Sequence, residues 1–204
     1  MPSGLNSTIQ QTFGTALTRL KLDAPVLILG HNDADGLSAS ALMARAFSRR
    51  VRPFQVRILG RGENPWSDAL RTELCAISVG GLIVTDLGVR EGEILPGVET
   101  VVIDHHVPMG IPGSATLLSG SEMEPVPTSS LLAYWCASVI AEVDDLLWIA
   151  ALGIIGDMAE RSASRRWRRP ASNTASPPCG RPRRCSMHPA GAPRVMPSQP
   201  STFS

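Results

Sequence analysis

An α/β fold, with a doubly wound and mainly parallel sheet flanked by helices, is what the sequence predicts, and two observations carry that expectation. From Pro25 onward, short β-rich runs alternate with longer segments of helical spacing, the signature of consecutive βαβ units. Three of the four β-rich runs are near-continuous apolar stretches instead of alternating ones, as strands covered by helices on both faces must be. The composition agrees: 204 residues, 43% hydrophobic and 18% charged, suit one ordinary globular domain with a tail and exclude a collagen, a coiled coil or a wholly disordered chain.

The elements follow in order. A leading helix is predicted over Thr8 to Leu20, then a strand over Val26 to Leu29 and a helix over Leu37 to Arg49. Phe54 to Leu59 reads as the second strand and Trp66 to Ile77 as the next helix. Leu82 to Thr85 and Thr100 to Ile103 read as strands three and four, and two further helices are expected over Ser129 to Val143 and Asp145 to Asp157. Pro127 and Thr128 give the first of those two the start signal of a helix.

Charge divides the chain. Positions 1–160 hold all 18 acidic residues against Lys21 and nine Arg, a net of −8, whereas the last 44 residues hold nine Arg and no acid. From Arg161 there is no Leu, Ile, Lys, Asp or Glu, and eight of the 17 prolines fall there. Such a segment buries too little apolar surface to offset its ordering entropy, so the expectation is one folded domain over 1–160 and a disordered Arg/Pro/Ser-rich tail over 161–204. The break is sharp enough to read as an out-of-frame translation; the rival reading is a basic arm, with Arg165, Arg166, Arg168 and Arg169 around Trp167 set to contact phosphates and stack a base. Cys75, Cys136, Cys179 and Cys185 form no C-x-x-C pair and no disulfide framework, which fits free thiols in a reducing compartment. The longest uncharged apolar stretch, Leu146 to Gly156, is too short for a membrane span, so a soluble cytoplasmic protein is expected.

The chemistry lies at the strand ends. Strand one runs into His31-Asn32-Asp33-Ala34-Asp35-Gly36, strand three into Asp86-Leu87-Gly88, and strand four into Asp104-His105-His106. Three strands thus deliver carboxylates and imidazoles to the carboxyl edge of the sheet, where open α/β folds bind ligands. Asp157 follows Gly153 to Gly156 in an apolar helix, where an uncompensated carboxylate is costly to bury. Singly, each of these is a turn, a helix cap or a structural histidine. Together they form an oxygen and imidazole set without thiolate, suited to Mn²⁺ or Mg²⁺ more than to a structural zinc.

In that order, Asp33-Ala34-Asp35-Gly36, Thr85-Asp86, Asp104-His105-His106 and Gly153 to Asp157 resemble the four motifs of the DHH phosphoesterase superfamily, most closely its branch of RecJ-like single-strand exonucleases. The resemblance covers roughly residues 22 to 160. It implies a doubly wound α/β domain with a two-metal centre, usually Mn²⁺, that hydrolyses phosphodiester or phosphoanhydride bonds. Carried onto these positions, His31 and Asp33 bind one ion, Asp35, His105 and Asp157 bind the second, and Asp86 bridges both. Asp104 orients an imidazole and His106 faces the substrate phosphate, so Asp86, Asp104 and His106 form the expected catalytic group.

Members of the superfamily generally continue into a second domain that helps recognise substrate, and none is legible in these 204 residues. The expected substrate is single-stranded nucleic acid or a small nucleotide. A different class of function stands beside the enzyme: a truncated, catalytically weak domain that binds metal and nucleotide and acts as a partner or sensor subunit.

Overall fold

The structure, a computed structural model, describes residues 3–167, with side chains described for residues 6–158. Its elements are α1 (Ser3–Leu17), β1 (Val26–Gly30), α2 (Ala34–Arg49), β2 (Phe54–Ile58), α3 (Asp68–Cys75), β3 (Gly81–Thr85), β4 (Thr100–Asp104), β5 (Ala115–Ser119), α4 (Ser129–Ile140), a short 3₁₀ turn (Asp144–Leu146) and α5 (Leu147–Trp167). The five strands are all parallel, in the order β2-β1-β3-β4-β5. Connections leave β1 and β3 in opposite directions, so a topological switch point, the usual ligand crevice of such sheets, lies between their carboxyl ends.

Central strands β1, β3 and β4 are buried along their whole length, which accounts for their unbroken apolar runs. The helices cover both faces, as expected of a doubly wound sheet. One face carries α1, α2, α4 and α5 over a core containing Phe13, Ile28, Met43, Phe47, Ile83, Ile103 and Leu132. On the other, α3 and the segment leading into β4 pack Leu70, Leu74, Ile94 and Leu95 onto Leu27, Leu29, Leu82 and Val102. Edge strand β2 is half exposed, and Arg57 ties it to Glu63 and Glu73 at 2.7 and 2.8 Å.

The sequence misses β5 altogether. With Leu118 its only buried residue, and Pro112 and Gly113 just ahead, this edge strand lacks the apolar run that marks the others. Helix α2 starts three residues before the expected Leu37, because Asp33 caps it by accepting from Gly36 N at 2.8 Å. Helix α5 runs past the expected end at Asp157 as far as Trp167, since Met158 to Trp167 contains neither Gly nor Pro. Positions 168–204 of the expected disordered tail lie outside the described residues. Among the described residues no helix is long and apolar enough to cross a membrane.

Candidate metal centre

Every sequence-predicted site residue is carried to the carboxyl edge of the sheet or to the helices beside it. Tight glycine contacts set the approach. A Cβ on Gly30 would run into Ser40 Oγ and lie 3.0 Å from Thr85 Oγ1, so α2 leans onto the ends of β1 and β3, where Ser40 and Thr85 hydroxyls meet at 2.9 Å. A Cβ on Gly36 would lie 2.6 Å from His31 Cβ and 2.8 Å from its carbonyl oxygen, which explains why glycine closes the Asp33-Ala34-Asp35-Gly36 motif. These contacts hold His31, Asp33 and Asp35 against β3.

Asp86 occupies the centre. It follows β3 directly with φ of 61°, a left-handed conformation that costs a non-glycine residue free energy, and its N–H donates to Ile103 O at 3.1 Å. Its two oxygens face different partners. Oδ2 lies 3.8 Å from His31 Nδ1, and His31 Nδ1 lies 2.8 Å from Asp33 Oδ2. Oδ1 lies 3.6 Å from His105 Nε2 and 3.8 Å from His106 Nδ1, and it accepts the Ser129 hydroxyl at 2.7 Å. Two three-residue sets with ligand atoms within 4.8 Å of one another result, His31-Asp33-Asp86 and Asp86-His105-His106, and Asp86 belongs to both.

Asp35 is buried, and both its oxygens accept backbone N–H groups at the start of α4: Ser129 N at 2.8 Å and Ser130 N at 2.9 Å. Its Oδ2 stands 4.0 Å from His105 Nε2. Asp104, fully buried, accepts Gly88 N on Oδ2 at 2.8 Å, and on Oδ1 both the backbone N–H and ring Nδ1 of His106, at 2.7 and 2.8 Å. The His105 and His106 rings meet edge to face, with centroids 4.5 Å apart. Asp157 lies on α5, half-buried, close enough to influence the charge of both imidazoles. Gly153 and Gly156 bring α5 there: a Cβ on Gly153 would strike Ser130 Oγ and lie 2.9 Å from Asp35 Oδ1, and one on Gly156 would strike Ala34.

Among the described residues Asp33, Asp35, Asp86 and Asp104 pair with imidazoles, backbone amides and a serine, and with no Lys or Arg. Burial, and next the charge of Asp35, pushes the Asp86 carboxyl up to about 9. Burial, with His106 adjacent, lowers the pKa of His105, whereas the hydrogen bond that the His106 ring donates to Asp104 raises that of His106. His31 Nδ1 is buried and, although close to Asp33 Oδ2, is too far out of line to hydrogen-bond it. A buried carboxylate without compensation costs several kcal/mol. A hard divalent cation supplies what this donor set lacks, so the residues fit the metal that their pattern implies.

The sequence reading overlooked Ser129 and Ser130. Their signal is the Thr128-Ser129-Ser130 run behind Pro127, which marks a helix start and gives no hint that the helix would end on Asp35 and Asp86.

No protein-family model and no curated protein matches the chain. Solved structures do. Exonuclease RecJ bound to manganese superposes with a TM-score of 0.61 at 19% identity over 73% of this chain. CDC45 from Entamoeba histolytica gives 0.55 at 12% identity over 76%, and the DHH domain of a protein assigned to a family of ribosomal proteins gives 0.52 at 19% over 75%. The chain spans 43%, 34% and 42% of the length of those three. Its fold is therefore the one found in RecJ and in that DHH domain, the likeness its four motifs led us to expect.

Proposed function

We propose that the chain is a metal-dependent phosphoesterase of the DHH type, holding two divalent cations and hydrolysing phosphodiester bonds of single-stranded nucleic acid or a small nucleotide. The observation that carries this reading is Asp86, whose two oxygens face two separate sets of ligand-type atoms at the switch point of the sheet. His31, Asp33 and Asp86 would hold one ion. Asp86 and His105, with Asp35 and Asp157 beside them, would hold the other. Mn²⁺ is the favoured ion and Mg²⁺ the alternative, because the donors are carboxylate and imidazole, and a RecJ of this fold was solved with manganese. When bound, two such cations activate a water and neutralise charge on the transferring phosphoryl group.

The remaining roles belong to the protein. Asp104 orients His106 and favours its imidazolium form, which is more than half exposed and so accessible to a phosphate oxygen. Asp35 is fixed beside His105 by the two amides that seat it. Burial of Asp86 and Asp104 keeps water from screening these interactions.

The test is Mn²⁺-dependent hydrolysis of bis-p-nitrophenyl phosphate and of a 5′-labelled single-stranded oligonucleotide by the full chain, with Asp86→Ala as control. Slow, Mn²⁺-dependent hydrolysis of the small diester, lost in Asp86→Ala, is expected. Poor digestion of the oligonucleotide is expected too, because the described residues around the centre are acidic and polymer affinity needs an extended basic surface. Activity that survives Asp86→Ala would place the chemistry elsewhere, and Mn²⁺ binding without turnover of either substrate would favour the binding or sensor role.

A further inference from the structure

We propose that the first turn of α4 is a built part of this metal centre and that Ser129 is the positioning residue for the shared carboxylate of Asp86; the inference rests on the two-cation reading above. An α-helix begins with N–H groups that have no partner within the helix. In α4, Thr128 caps the turn by accepting Leu131 N at 3.3 Å, and the two amides ahead of it, Ser129 N and Ser130 N, both go to Asp35. That carboxylate takes one amide on each oxygen and lies at the positive end of the helix dipole, and both features offset the hydration it loses on burial.

Ser129 then does something the cap does not require. Its side chain is fully buried and gives its one hydroxyl proton to Asp86 Oδ1 at 2.7 Å. Geometry makes the assignment specific. Asp86 sits in a left-handed backbone conformation, so its carboxylate has no helix or strand to orient it, and Ser129 restrains its rotation so that Oδ2 faces His31 while Oδ1 faces His105. A single turn thus fixes both the shared ligand and its neighbour Asp35. Hydrogen bonds of this kind around a metal typically change affinity by about 10- to 100-fold.

Ser130 supplies the matched control. It is equally buried in the same turn, but its hydroxyl donates to Ala150 O at 3.2 Å and accepts from the Thr128 hydroxyl at 2.9 Å, and does not reach Asp86. The experiment measures Mn²⁺ affinity and stoichiometry by calorimetry on the full chain, together with the electron paramagnetic resonance spectrum, in which two adjacent Mn²⁺ ions give a coupled signal. Ser129→Ala is expected to lower Mn²⁺ affinity about 10- to 100-fold and to weaken the coupled signal. Ser130→Ala, whose lost hydroxyl does not reach Asp86, should lower the melting temperature and cost clearly less affinity than Ser129→Ala. Ser129→Cys, nearly the same size with a weak S–H donor, should fall between wild type and alanine, and it carries the test if Ser129→Ala does not fold. Wild-type affinity in Ser129→Ala, or equal losses in Ser129→Ala and Ser130→Ala, would overturn the positioning role. A wild-type chain that binds no Mn²⁺ would instead overturn the two-cation reading and this inference with it.

Discussion

Asp104 Oδ1 accepts two hydrogen bonds from His106, one from its backbone N–H at 2.7 Å and one from ring Nδ1 at 2.8 Å, so one buried carboxylate sets both where this residue lies and which way its ring turns. With Nδ1 committed to Asp104, the ring's other nitrogen is the one left to meet a substrate. The same bond raises the imidazole pKa above its ordinary value. Asp104→Asn should bring the His106 pKa back toward that ordinary value and lower turnover about 10- to 100-fold. Proton NMR titration of the imidazole signals in the metal-free protein, set beside the diester assay, checks both parts; an unchanged His106 pKa would show that the bond does not govern its charge.

Sharing of Asp86 makes a stoichiometric prediction. Removing a ligand that serves one ion should cost one ion, whereas Asp86→Ala should cost both. Metal analysis of the purified variant is expected to find less than about 0.2 equivalents of Mn²⁺ at concentrations that load the wild type with about two. One ion retained at full occupancy would mean that Asp86 belongs to a single set.

The raised Asp86 pKa predicts how pH acts on the metal-free protein. Its folded value, about 9, lies above the ordinary 3.8, so between those limits the native state binds more protons than the unfolded one. Stability from this group is therefore fully present at acid pH and is lost as pH rises through the window. A cation offsets that loss by stabilising the ionised carboxylate. Calorimetric melting is expected to show a larger Mn²⁺-induced rise in Tm at about pH 8.5 than at about pH 5.5. The opposite order would contradict the burial argument.

Gly153 tests how α5 reaches the centre. Gly153→Ala places a methyl against Ser130 Oγ and Asp35 Oδ1, so α5 must move away from α4 and α2. Overpacking of this kind costs about 1–3 kcal/mol. Mn²⁺ affinity should fall as well, because Asp157 moves with its helix. An alanine at the exposed Gly62, whose Cβ would meet nothing within 4 Å, lies away from that packing and should leave Mn²⁺ affinity unchanged despite its positive φ of 86°. Chemical denaturation and calorimetry on the two variants separate these outcomes.

Much of the molecule was legible before any tertiary contact was known. Alternation of apolar runs with helical segments gave the α/β class and four of the five strands, because strands buried on both faces must be apolar throughout. The order of Asp33, Asp35, Asp86, Asp104, His105, His106 and Asp157 placed the candidate ligands at strand ends and beside them, since parallel strands send all their carboxyl ends to one rim. Strand β5 stayed hidden, because an edge strand with Leu118 its only buried residue carries little pattern of its own.

Tertiary structure alone decided which atom faces which. The division of Asp86 between His31 and His105 depends on a left-handed backbone after β3, and no feature of Thr85-Asp86-Leu87 announces it. The seat of Asp35 on the amides of Ser129 and Ser130 joins positions 94 and 95 residues apart, and it forms because Gly30, Gly36, Gly153 and Gly156 lack the side chains that would hold α2, α4 and α5 away from the sheet's edge. Residue types and their order specify the chemistry available. Close packing, which acts between segments distant in sequence, determines how those groups are aimed.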